Sequence, residues 1–287
     1  MRALIIGSDS PLGQALNEFL DALGRHEVVA VTRSAARWKS ERQAKKAVRR
    51  AQADVVVDLR IEALADGSGE IAELDLKRCQ WIAKCCQRDR ACHLFVSSSR
   101  VLSGQLDRLY HEGDAPDGED VIGQALAAAE RIVEAGSERS LILRLGPVFA
   151  SQGTNLVTQM LGDMMSGRHL LLDNNLRGCP VASADGARVI SAVLDQLSTG
   201  ADLWGIYHYC SSETATYYEF AEAILASASQ FSEFSSDAVE LKELEAGAPR
   251  LNRSLECSKI RNTFAVKQLP WRGAIAEQVK LYFSQQN

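Results

Sequence analysis

Near its start the chain reads ALIIGSDSPLG: an apolar run ends on Gly7, a polar turn follows, and Gly13 stands six residues further on. A buried strand that stops at a glycine and gives way at once to a helix leaves few folds open. The helix has to cross back over the sheet before the next strand can pair, and such a crossover makes the pairing parallel. Residues 3–6 supply the strand. Over residues 11–23 apolar side chains recur at helical spacing, at Leu12, Leu16, Phe19, Leu20 and Leu23, and Gly24 supplies a stop. The alternation then repeats. Apolar strands are expected at 28–32, 54–59, 94–97 and 141–145, with helices over the basic stretch 37–50 and over 71–86 and 121–135. Strands so continuously apolar must be covered on both faces. The fold class that follows is α/β, with a doubly wound parallel sheet.

After about Pro147 the rhythm changes. Helical patterns at 156–165, 185–197 and 217–227 are separated by short strands at 169–172 and 206–209, and the Ser/Glu-rich stretch 227–249 reads as loop. The expected organisation is a nucleotide-binding domain over 1–150 and a smaller substrate-binding-like lobe over 151–287, with the chain free to re-enter the first domain. A net charge of −5 argues against bulk attraction to nucleic acid. No run approaches the ~18 apolar residues of a membrane span. The seven cysteines form no CxxC pair, and the five histidines show no metal-ligand spacing. The chain therefore reads as a cytoplasmic protein with reduced thiols, without a metal and with no membrane or nucleic-acid partner.

The glycine turn is a GxxGxxG in which Ser10 takes the middle place. The first glycine makes the tight turn, the last allows close helix–strand packing, and the middle one lets the backbone approach a pyrophosphate. Ser10 can donate its hydroxyl to a phosphate, or it can cap the helix with Pro11 at the first position. Asp9 is unfavourable beside a phosphate unless it turns away. Arg33 stands at the end of the second strand, where an acidic residue would hold the ribose of NAD; a guanidinium there either suits a 2′-phosphate and favours NADP, or is simply a solvated loop arginine.

Several stretches taken together resemble one family. LFVSSSRVLSG looks like the "hiSTDyVFdG" strand and loop of dTDP-4-dehydrorhamnose reductases, which are extended short-chain dehydrogenase/reductases with a Rossmann-type fold. LYHEGDAP is similar to their Tyr-x-Glu-x-Asp segment, LLDNNLRGCPVASADGARVI to "DQxGxPT…dlA", and PRLNRSLECSKI to the late "RP.ns.Ld.sKl". LILRLGPVFASQGTNLVTQML resembles the fifth strand and following helix, and GIYHYCSSETATYYEFAEAI resembles "GiyHy…sw.eFA..I". The matches keep their order over nearly the whole chain.

This resemblance implies NADPH-dependent reduction of a keto group on a nucleotide-linked sugar. It places the cofactor against Gly7, Ser10, Pro11, Leu12 and Arg33, against Asp58 and Leu59 after the third strand, and against Gly146, Pro147 and Val148 after the fifth. The carbonyl-polarising hydroxyl falls on Ser98. The family's "YGxSKxxxE" helix aligns with IGQALAAAE, so Ile122 stands for the tyrosine and Leu126 for the lysine, while Gly123 and Glu130 match. No lysine occurs between Lys84 and Lys242. Asp58-Leu59-Arg60 replaces Asn-Ala-Ala, and such residues either crowd the nicotinamide or turn to solvent. Without a nearby cation a phenol is a poor acid at neutral pH, and here both groups are missing. The first expectation is a non-catalytic sensor, scaffold or regulatory subunit that binds NAD(P), a nucleotide sugar or a protein partner. The alternative is a keto-sugar nucleotide reductase using Ser98 with an acid relocated to His111 or Glu112.

Overall fold

The computed structural model describes residues 1–66, 69–235, 237–242 and 249–285. The first half runs β1 (Arg2–Ile6), α1 (Pro11–Leu23), β2 (Glu27–Val31), α2 (Glu41–Ala51), β3 (Val55–Asp58), α3 (Arg60–Asp66), α4 (Glu73–Asp89), β4 (Cys92–Ser98), α5 (Val121–Gly136) and β5 (Ser140–Leu145). The second half continues β6 (Val148–Phe149), α6 (Leu156–Met165), β7 (Leu170–Leu172), β8 (Leu176–Gly178), β9 (Val181–Ala182), α7 (Ser183–Ser198) and β10 (Gly205–Tyr209). It ends with β11 (Ala215–Thr216), α8 (Tyr217–Ala228), β12 (Val239–Leu241), β13 (Leu251–Asn252), α9 (Ser258–Phe264) and α10 (Trp271–Ser284).

Six strands form one sheet in the order β10-β5-β4-β3-β1-β2, every neighbouring pair parallel. The alternation of β1 shows how the sheet is covered. Ala3 and Ile5 pack with Leu12, Leu16 and Leu20 of α1, while Leu4 and Ile6 pack with Val48 of α2 and Ile82 of α4. The order reverses between β1 and β3, and ligands of such sheets settle outside the carboxyl ends at that switch point. This is the Rossmann-type α/β fold.

A second core gathers α6, α8 and α10 around Phe149, Phe220 and Trp271, with the last two rings 5.1 Å apart. Two sequence-based expectations change here. Residues 206–209, expected in the smaller lobe, belong to β10, the sixth strand of the main sheet, paired with β5 from Gly205↔Leu141 to Tyr209↔Leu145. Helix α7 packs on α1 and also belongs to the main core. Within the stretch expected to be loop, Val239–Leu241 pairs with β7, whereas 236 and 243–248 lie outside the described residues. Among the described residues no helix is long and apolar enough to cross a membrane.

Helix α5 is tied to the sheet by a buried polar network. Glu130, 2 % exposed, accepts from Arg144 Nη2 at 2.7 Å, from Arg144 Nε at 3.0 Å and from Ser97 Oγ at 2.6 Å. Arg144 also meets His208 Nε2 at 3.4 Å, and His208 Nδ1 bonds to the Tyr110 carbonyl at 3.1 Å. Burial, helped by the Arg144 charge, pushes the His208 imidazole down to about 3, so it stays neutral and donates to the carbonyl through Nδ1. Removing one partner of such a pair strands a charge in the core. Glu130→Ala is therefore expected to lower the unfolding free energy by about 4 kcal/mol in urea titrations, and Glu130→Gln by less.

His93 is a different case. It lies in β4 with no exposed surface, edge-on to Phe95, and neither ring nitrogen has a hydrogen-bond partner among the described residues. Burial lowers its pKa to about 4; the Asp58 charge opposes the shift and Arg60 adds to it. An imidazole depressed in the folded state takes up its proton more readily when unfolded, so stability is present above about pH 6.5 and drains as pH falls toward 4. Between pH 7 and pH 5 the wild type should lose about 2 kcal/mol more than His93→Leu, read from urea midpoints at the two pH values.

Candidate ligand-binding cleft

At the switch point, Gly7 adopts φ 94°, a left-handed conformation that favours glycine. Gly13 is forced by packing: a Cβ there would sit 2.3 Å from the Gly7 carbonyl oxygen. Ser10, fully buried, caps α1 by accepting from Gly13 N at 3.0 Å, and Pro11 opens the helix. Its hydroxyl thus faces the helix rather than a ligand. Asp9 turns to Arg33, accepting from its backbone N at 2.6 Å and from Nε at 3.3 Å. Arg33 and Pro11 frame, with Glu62, Val148 and Asn155, a small cavity of about 30 Å³.

After β3, Asp58 and Arg60 neither crowd the cleft nor reach solvent. They are 0 % and 4 % exposed and pair with each other, Nε to Oδ1 at 2.9 Å and Nη2 to Oδ2 at 2.8 Å, with the Cys79 sulfur 3.6 Å from Nη2. Leu59 is buried, and its backbone lies against Gly7, whose added Cβ would come within 3.3 Å of it. Gly146 is held by contact as well, since a Cβ there would fall 1.9 Å from the Cys179 carbonyl oxygen.

Helix α5 begins at Asp120, which caps it by accepting from Gly123 N at 2.6 Å. Partial burial would raise the Asp120 carboxyl, but this hydrogen bond and the Arg100 and Arg253 charges outweigh it and hold the group below its ordinary range. Ile122 is half-buried and packs on the main core; Leu126 is within that core, with no exposed surface. Ser98 is also fully buried, its Oγ accepting from Arg100 N at 3.3 Å, and the neighbouring Ser99 is the serine that lines the cleft.

The groups considered as substitutes lie elsewhere. Glu112 accepts from His208 N at 3.2 Å, exposed His111 stands 3.9 Å from Glu256, and neither lines the cleft. A phenol and an ammonium do meet, at Tyr207 and Lys259, but Nζ sits over the ring face, 4.2 Å from its centre, and burial raises the Tyr207 pKa. That contact is a cation–π pair, not an acid relay. The neighbouring tyrosines divide between two settings: Tyr207 and Tyr209 fill the main core, and Tyr217 lines the cleft.

The cleft itself holds about 230 Å³ between the sheet's carboxyl edge and the smaller lobe. Pro147 and Val148 form one wall, with Val148 shared with the small cavity beside the glycine turn. Three arginines line it: Arg100 after β4, Arg177 in β8 and Arg253 after β13. Arg253 N donates to the Arg177 carbonyl at 2.8 Å, extending the β8–β13 pairing that sets the two side by side. Arg177 pairs with Glu219 at 2.8 Å. Reading the sequence in order missed all three arginines, although each lies inside a stretch that carries the resemblance.

The fold is Rossmann-type, and its cleft at the sheet's carboxyl edge is lined by three arginines. A family model described as "RmlD substrate binding domain" matches residues 1–283, and the chain belongs to that family. A dTDP-4-dehydrorhamnose reductase from Aggregatibacter actinomycetemcomitans is 27% identical over 298 residues, covering 96% of this chain and 97% of the relative. Methionine adenosyltransferase 2 subunit beta from Xenopus laevis is 27% identical over 190 residues, 64% of this chain and 56% of that one. Among solved structures, a dTDP-4-dehydrorhamnose reductase from Clostridium acetobutylicum superposes with a TM-score of 0.79 at 18% identity, covering 98% of this chain and 99% of the other. The enzyme from Bacillus anthracis, solved in complex with NADP, gives 0.77 at 19%, covering 96% and 98%.

A nicotinamide dinucleotide fits one half of the site. Gly7, the Gly13 contact and the N-terminus of α1 retain the cradle for a pyrophosphate. At the two positions where the resemblance expects a tyrosine and a lysine, Ile122 and Leu126 offer neither a charge nor a proton. Rebuilding the pair tests how firmly the packing excludes it. Leu126→Lys places an ammonium in the apolar core and is expected to cost about 4 kcal/mol of stability, whereas half-buried Ile122→Tyr should cost under ~1 kcal/mol, both from denaturant midpoints.

Proposed function

We propose that this chain binds a nucleotide-linked sugar in the cleft and does not reduce it, serving as a sensor, scaffold or regulatory subunit. The observation that carries the reading is the apolar packing of α5. Leu126 is buried and Ile122 half-buried at the positions where the sequence resemblance puts the ammonium and the phenol, while three arginines line the cleft. Loss of a positioned acid removes about 10²- to 10⁴-fold of rate, and loss of the lysine also weakens the hold on a cofactor ribose. Gly7, Pro11 and Leu12 would seat a dinucleotide pyrophosphate, and Arg33, already leaning on Asp9, would favour NADP over NAD. A bound nicotinamide supplies hydride chemistry, but α5 supplies no proton to accompany it.

The relative that is a subunit of a methionine adenosyltransferase supports a role exercised through a protein partner. The near full-length match to a reductase supports the competing reading, turnover with Ser98 as the polarising hydroxyl. Fluorescence titration with NADPH and NADH, followed by addition of a dTDP-4-keto sugar, separates the two. The expected result is binding that favours NADPH, with no loss of nicotinamide absorbance. Steady substrate-dependent oxidation, abolished by Ser98→Ala, would establish the reductase instead.

A further inference from the structure

Two of the cleft's arginines share a single carboxylate. Asp120 Oδ2 stands 3.5 Å from Arg100 Nη2 and 3.6 Å from Arg253 Nη2, while Oδ1 is committed to the Gly123 amide. Both ion-pair distances are long, and two guanidinium charges face one carboxylate. The balance is one positive charge, and the N-terminus of α5 adds a partial positive charge beside it. Arg253 Nε is a buried donor with no hydrogen-bond partner among the described residues. Arg100 is braced by donating Nη1 to the Ala65 carbonyl at 2.7 Å, which fixes the guanidinium plane at the cleft wall. Ala65, Pro147 and Val148 supply apolar surface around it. A cationic fork set among apolar walls is poorly served by a neutral polyol and well served by a planar carboxylate.

Its place within the cleft decides what presents that carboxylate. Arg100 directly follows Ser98 and Ser99, the end of β4 where the sugar ring belongs if the cleft takes a nucleotide sugar; Arg177 and Tyr217 lie on the lobe side. We infer that Arg100 and Arg253 form a seat for a carboxylate on the sugar ring, so that the preferred ligand is a nucleoside-diphosphate hexuronic acid and not a neutral hexose. This rests on the nucleotide-sugar reading above and adds the charge of the sugar to it.

Calorimetric titration of the full chain with UDP-glucose and UDP-glucuronic acid, and with the corresponding thymidine pair, tests the seat. The uronic acid form is expected to bind about tenfold or more tightly than the neutral form on the same nucleotide. In Arg100→Gln and Arg253→Gln the ratio of the two affinities, measured within each variant, should shrink to within ~3-fold. Arg100→Lys, which keeps the charge without the fork, should retain part of the preference. Equal affinity of the two forms for the wild-type chain overturns the carboxylate seat and leaves the nucleotide-sugar reading standing. A preference that survives in both glutamine variants overturns the assignment to these arginines. No binding by either pair overturns the seat together with the reading beneath it.

Discussion

The pairing of Glu130 with Arg144 fixes how helix α5 sits on the sheet. Both side chains are almost without exposed surface, and three hydrogen bonds within 3.2 Å join the carboxylate to the guanidinium, with Ser97 adding another. A helix anchored by a buried charge cannot rotate or slide by one residue without abandoning it, because a single step turns the face by about 100°. The anchor lies two turns beyond Ile122 and one beyond Leu126, so both positions are set with it.

Periodicity carried much of the architecture. The expected helix at 11–23 coincides with α1, and that at 121–135 falls one residue short of the end of α5. What it could not carry was partnership. A five-residue apolar strand reads the same in either lobe, and β10 finds its neighbour in β5, across the whole of β6 to α7. The loop reading of 227–249 failed for a related reason: β12 is short, with two of its three residues exposed, and only its pairing with β7 makes it a strand.

The site was legible where a function rests on spacing along one helix, and illegible where it rests on convergence. Tyrosine and lysine four residues apart would share a helix face, so the resemblance that sets Ile122 and Leu126 at those two places can be read without coordinates. The three arginines come from a loop after β4, from β8 and from the residue after β13, and only the β8–β13 pairing brings the last two together. The serine shift is finer still. Ser98 ends β4 and caps a short 3-10 turn over Ser99–Val101, so the strand's alternation is broken just where one hydroxyl must be chosen. Alternation alone cannot say that Ser99 faces the cleft.

Placing leucine at 126 also changes what the empty protein must tolerate. A lysine in that position would bring its ammonium into a site with no exposed surface, where it depends on a bound ribose or a nearby phenol to offset its desolvation. Leucine needs neither, and α5 packs fully with nothing in the cleft. The same economy holds after β3, where Asp58 and Arg60 satisfy each other inside the protein. At the N-terminus of α5 the balance is opposite: Asp120 is outnumbered by Arg100 and Arg253, and Arg253 Nε has no hydrogen-bond partner among the described residues. The uncompensated charge therefore lies at the cleft wall, beside the N-terminus of α5. An anion bound there would offset that charge and so stabilise the folded chain.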